Sequence, residues 1–204
     1  MGKPRVAVAA GIAALAVAAA AAGVLATRWP GPARQLRAPA VHTVQAYVTG
    51  YSYFDNTPPD SAQISNPVLH RIAGGTGTYA DPVTVAVGYS RATGQDVLDW
   101  PAGTRFYLPN LRRYLVVEDV CGDGSQPQDG PCHTGYPAGA STWLDVWVGG
   151  SRGTSAAAGD CMDAITRVST VVVNPPAGYP VVSGDIYRPT GCSARYGDAL
   201  PAKS

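Results

Sequence analysis

Residues 143–148 read Trp-Leu-Asp-Val-Trp-Val, an alternation with a period of two that only an extended strand can use. Leu144, Val146 and Val148 share one face, and Trp143, Asp145 and Trp147 share the other. The stretch before it has the same character. Residues 105–109 form a second alternating run, Asn110 to Arg112 make a turn, and Arg113 to Val120 form a third run. In that third run Leu115, Val117 and Asp119 share a face, while Tyr114, Val116 and Glu118 share the opposite one. Both faces are largely apolar, as in a strand of a closed barrel or sandwich. Arg112 and Arg113 are read as keeping the preceding turn soluble. With 24 glycines and 18 prolines in 204 residues, long helices are disfavoured throughout. The expected fold is all-β.

Further runs extend the pattern on both sides. Thr43 to Tyr53 alternates well enough for a first strand, and Val83 to Val87 reads as a buried strand. The glycine-rich Gly74 to Thr78 has no helix pattern behind it, so it is a loop and not a phosphate cradle. After Gly150 a Gly/Ser/Ala linker leads to a short helical turn at Met162 to Ile165. A β-branched run, Val168 to Val173, follows, and Val181-Val182 adds a short strand. Only 14% of residues are charged and the formal net charge is +1, so no clustered basic surface speaks for nucleic acid.

Lys3 and Arg5 precede an apolar run from Val6 to Ala26. Residues 1–26 therefore read as a secretory signal peptide or as an uncleaved membrane anchor, and 27–42 as a linker. The membrane is met only through that first segment, and the rest of the chain is expected to be secreted, outside the cell. Cys121, Cys132, Cys161 and Cys192 all lie in the exported part, an even number that fits two disulfides in an oxidising compartment. Three pairings are possible. Sequential pairing is the expected one, with Cys121–Cys132 closing a loop and Cys161–Cys192 pinning the C-terminal extension. No CxxC pair exists and His42, His70 and His133 are scattered, so neither a metal nor another cofactor is expected. Calcium held by Asp119, Asp123 and Asp129 would match no known loop spacing.

The candidate chemistry lies in two carboxyls, Asp119 and Asp145. An acid flanked by indoles loses solvent and holds its proton closer to neutral pH. Tyr51, Tyr53, Trp143 and Trp147 are candidate stacking platforms for sugar rings. His70 reads as a hydrogen-bonded structural residue. Asp55, Asp81 and Glu118 are substitutes for the acid pair, although by phase Glu118 faces away from Asp119.

Three motifs carry a resemblance. Pro101-Ala102-Gly103-Thr104-Arg105-Phe106-Tyr107 resembles the P-x-G-T-x-hydrophobic strand entry of double-psi β-barrel proteins. Val117-Glu118-Asp119-Val120-Cys121-Gly122 is similar to their hydrophobic-x-D-x-x-G element, and Leu144-Asp145-Val146-Trp147 to the strand after it. Order and spacing resemble the rare-lipoprotein-A-like and three-aspartate barrels of cell-wall enzymes, and expansin-like and barwin-like endoglucanase domains. The resemblance implies a six-stranded double-psi β-barrel over residues 43–150, with 151–204 as a β extension packing on it. It also implies an open polysaccharide groove with Asp119 as general acid or its partner and Asp145 beside it. The chain departs from the pattern at Gly88-Tyr89, where the three-aspartate barrels carry an aspartate, and it lacks the histidine of the lytic enzymes. The expected function is a secreted protein that binds or loosens cell-wall polysaccharide, peptidoglycan or β-glucan. The alternative is a glycan-cleaving enzyme, a lytic transglycosylase or endoglucanase-like protein, with Asp119 as general acid.

Overall fold

A computed structural model describes residues 40–122 and 125–203. The expected signal or anchor segment and the linker up to residue 39 lie outside the described residues. In chain order the elements are β1 (His42–Ser52), β2 (Val83–Val87), β3 (Tyr89–Ser90), β4 (Val97–Leu98), β5 (Arg105–Leu108), β6 (Arg113–Val120), α1 (Pro131–Thr134), β7 (Thr142–Gly149), α2 (Ser155–Ile165), β8 (Arg167–Val173), β9 (Tyr187–Arg188) and β10 (Gly191–Cys192). Six of these strands close a barrel in the order β1-β7-β2-β6-β5-β8. The pairing is mixed: β1–β7 and β2–β6 run parallel and the other four pairs antiparallel.

Alternation builds the core. Val48, Val85, Phe106, Leu115, Val146 and Val171, one from each barrel strand, are all buried in a single apolar cluster. The barrel does not end at residue 150, as the resemblance implies. Its sixth strand is β8, which pairs with both β1 and β5 and closes the sheet. Without it those two strands would carry open edges of unpaired N–H and C=O groups.

From Ser155 on, the Gly/Ser/Ala segment expected as a linker is instead the first half of α2. The Thr154 side chain caps it by accepting from the Ala157 N–H, and three alanines in its first turn favour the helix. Ala158, Cys161 and Ile165 form its buried stripe. The helix approaches β1 at Gly50, where a Cβ would stand 2.9 Å from Ile165 Cδ1. Val181-Val182 forms no strand. The extension makes the β9–β10 hairpin instead.

Both disulfides pair sequentially, Cys121–Cys132 and Cys161–Cys192, with Cα separations of 5.9 and 5.1 Å. They fit an oxidising compartment. The second ties α2 to the hairpin. The extension is also stapled to the outside of the barrel, where Tyr107 and Tyr114 donate their hydroxyls to the carbonyls of Pro180 and Pro176. Arg113 does not serve the solubility of its turn. It is fully buried and donates to the carbonyls of Gly184 and Leu111 and to Ser193 Oγ, and burial pushes its guanidinium down to about 10. Among the described residues no helix is long and apolar enough to cross a membrane.

Candidate functional site

The site begins with a slip in strand pairing. Between β2 and β6, Val85 pairs with Val117 and Ala86 with Asp119, so Glu118 is an extra residue in a β-bulge. The bulge reverses the phase that simple alternation gives. Asp119 leaves the core face of Leu115 and Val117 and turns outward with Ala86. Glu118 also turns outward, since its carboxylate accepts from Thr84 Oγ1, two residues before Ala86 on β2. The two acids therefore share a face, which corrects the expectation that Glu118 points away from Asp119.

On its other side Ala86 pairs with Asp145. Asp119 and Asp145 thus flank one small residue from two neighbouring strands, with Cα atoms two strand spacings, roughly 10 Å, apart. The methyl of Ala86 leaves the space between them open. A cavity of about 510 Å³ lies there, lined by both aspartates, Tyr51, Asp55, Ser65 and Tyr89 among others.

Each carboxyl is held differently. Asp119 is 5% exposed. Its Oδ1 accepts from the Ser65 and Val120 N–H groups at 3.0 and 2.9 Å, and its Oδ2 from the Tyr51 hydroxyl at 3.1 Å. Burial pushes its pKa above the usual aspartate range against those three bonds. Asp145 accepts from Thr49 Oγ1 at 2.6 Å, and Trp143 Nε1 in turn donates to Thr49 Oγ1 at 2.7 Å. Burial pushes Asp145 up to about 7, helped by the charges of Asp55 and Asp119. The Tyr51 phenol is raised well above its ordinary value by burial and by the same two aspartates, so it remains a donor.

Glu118 has another environment. It is fully buried, and its Oε1 accepts from the N–H groups of Val68, Leu69 and His70. Its Oε2 accepts from His70 Nδ1 at 2.6 Å, while His70 Nε2 meets Asp81 at 2.9 Å. Burial alone would raise the pKa of Glu118, but the bonds from His70 and Leu69 outweigh it and hold the group low. At His70 the side-chain bonds to Asp81 and Glu118 outweigh burial and raise it, since an imidazolium satisfies both carboxylates. Glu118 and His70 anchor the 61–72 loop, whose Ser65 and Asn66 line the cavity.

Of the four aromatic candidates, only Tyr51 lines the cavity with the two aspartates. Tyr53 and Trp147 line a second cavity of about 400 Å³. The Tyr51 and Trp147 rings meet edge to face, with centroids 5.2 Å apart. Trp143 packs edge-on against Tyr47 and lines neither cavity. Thr49 and Ser65 are contributors that no motif marks. Thr49 follows from the β1–β7 register, which pairs it with Asp145. Ser65 acts through its backbone, which carries no sequence signal. Asp123, one of the three residues considered for calcium, lies outside the described residues. Among the described residues no three His, Cys, Asp or Glu side chains are grouped to hold a metal.

The comparisons with known proteins meet this geometry. No solved structure matches the chain. An uncharacterised protein of Dictyostelium discoideum, DDB_G0273701/DDB_G0273221, is 32% identical over 139 residues, 68% of this chain and 54% of that protein. The chain thus spans about half the length of that relative. The family model described as the DDB_G0273701 N-terminal domain matches residues 43–194, from the first barrel strand through the pinned hairpin. By that match the chain belongs to the DDB_G0273701 N-terminal domain family.

Proposed function

We propose that this is a secreted, cell-wall polysaccharide-interacting protein with a barrel of the double-psi class, and that its ligand lies across the cavity between Asp119 and Asp145. The mixed barrel with two parallel pairs supports that class, as do the three motifs in order. The two disulfides and the basic and apolar N-terminal sequence support export. The observation that carries the reading is the placement of two carboxyls on either side of Ala86, facing one open cavity. A volume of about 510 Å³ admits a sugar unit. A protonated carboxyl donates to one sugar hydroxyl while an ionised one accepts from another, so a pair with raised pKa values can bracket a pyranose. Tyr51 and Tyr89 supply aromatic surface on the wall.

A second reading, glycan cleavage, is favoured by Asp145, which keeps a proton near neutral pH. In that reading Asp145 protonates the glycosidic oxygen as its bond to the anomeric carbon breaks, and a water adds to that carbon. Asp119, whose raised pKa suits a base, takes the proton of that water. This exchanges the roles that the resemblance implies.

The test is retention on insoluble peptidoglycan and on β-glucan. Wild-type protein should be retained, and Asp119→Asn with Asp145→Asn should abolish retention while the folded spectrum persists. Unchanged retention of the folded double variant overturns the reading. Release of reducing ends or muropeptides that stops with Asp145→Asn alone selects cleavage over binding.

A further inference from the structure

The second cavity differs in charge from the first. The first is bordered by Asp55, Asp96, Asp119 and Asp145 against a single Arg91, which is itself paired with Asp96 at 2.6 Å. The second, about 400 Å³, is bordered by Arg152 and Arg188 against one Asp185, with Tyr53, Trp147 and Tyr187 as its aromatic wall. Among the described residues, neither Arg152 nor Arg188 has a carboxylate ion-pair partner. Arg188 is fixed by two backbone carbonyls, those of Asp185 and Ser183, at 3.0 and 2.7 Å. Arg152 is exposed at the rim. The partition between the two cavities includes the Tyr51–Trp147 ring pair, with Tyr51 facing the acids and Trp147 the arginines.

We propose that the second cavity is a subsite for a carboxylate-bearing sugar residue of a glycan whose neighbouring unit occupies the first. The proposal rests on reading the first cavity as a glycan site. A guanidinium fork matches a carboxylate in two parallel hydrogen bonds, and Arg152 at the rim carries such a fork, while the Nε and Nη2 tethers of Arg188 fix its head and leave Nη1 to the ligand. Flat aromatic side chains take the C–H face of the sugar. The acid-rich first cavity repels a carboxylate, so a chain alternating in charge, or acidic at one position, is oriented by the pair. A uniformly neutral glycan gains nothing from the arginines.

The experiment is calorimetric titration of the folded chain with a tetrasaccharide in which uronic acid and neutral units alternate, the hyaluronan tetrasaccharide, and a neutral one of the same length, cellotetraose. The wild type should prefer the acidic oligomer, and the preference should fall as salt rises. Arg152→Glu should reduce the ratio of acidic to neutral affinity by roughly tenfold, the scale of one charge-assisted hydrogen bond. Asp119→Asn with Asp145→Asn should weaken both oligomers. A ratio unchanged by Arg152→Glu overturns the subsite and leaves the first cavity standing. A ratio that falls with Arg152→Glu, together with binding indifferent to the aspartate variants, keeps the subsite and overturns the first-cavity reading. Binding of neither oligomer overturns both.

Discussion

Glu118 and Asp119 are adjacent in the chain, turned by one bulge toward one loop, and both nearly or wholly buried. Their chemistry still diverges. Glu118 collects five donors from the 68–70 backbone, His70 and Thr84, and stays ionised below its ordinary range. Asp119 collects three, faces a cavity and is pushed upward. Burial alone does not decide which way a carboxyl shifts; the count of donors set against the loss of solvent does. Glu118 holds the 61–72 loop, and Asp119 borders the cavity.

The largest expected effect breaks the Glu118 side of the pair. Glu118→Ala strands a buried set of N–H groups and should cost about 3–5 kcal/mol in urea unfolding. Asp119→Asn, which keeps the shape of the side chain, should stay within about 1 kcal/mol of wild type. Equal losses would erase the distinction.

The next prediction uses pH, because the two sides of the site have opposite signs. Asp145 titrates at about 7 in the folded chain, above its ordinary value. Its contribution is therefore complete at acid pH, below the unfolded aspartate value, and is lost as pH rises through about 7. The folded pKa of Glu118 is lowered, so its contribution is present above the unfolded glutamate value and is lost as pH falls through the folded one. Unfolding measured from pH 4 to 8 should show Asp145→Asn gaining on wild type toward pH 8. A flat difference would sink the assignment.

A smaller effect sharpens the Asp119 side. Tyr51→Phe removes one of its three donors, should cost roughly 1 kcal/mol, and should move the Asp119 carboxyl further up in an NMR titration. The smallest is Trp143→Phe. It removes the indole bond to Thr49 without touching the cavity wall, and should lower stability by less than about 1 kcal/mol with retention on glycan unchanged.

Much of the barrel is legible in the sequence. Val83–Val87 has the bounds its composition suggests, and the runs around Leu115 and Val146 fall where their period of two puts them. The sequential disulfides are the expected pairing among three. Val168 to Val173 is a strand, as its β-branched run suggests, but its place as the closing strand of the barrel is not written there. Local pattern marks a strand and says nothing of which edges it closes. The 155–160 segment shows the converse. Its alanines read as a linker, whereas Thr154 caps a helix that docks on Gly50.

The sequence by itself determined the elements, because side-chain period and turn residues act over a few neighbours and need no partner. It also marked Asp119 and Asp145 as the acids to watch. Only the tertiary structure decided which way Asp119 points, since a one-residue slip against β2 inverts the face of every later residue in the strand. The same holds for the split of Tyr51 from Tyr53 and Trp147 into two cavities and for the donors that fix Glu118. Register, cavities and backbone donors arise from segments far apart in the chain, where no local pattern records them.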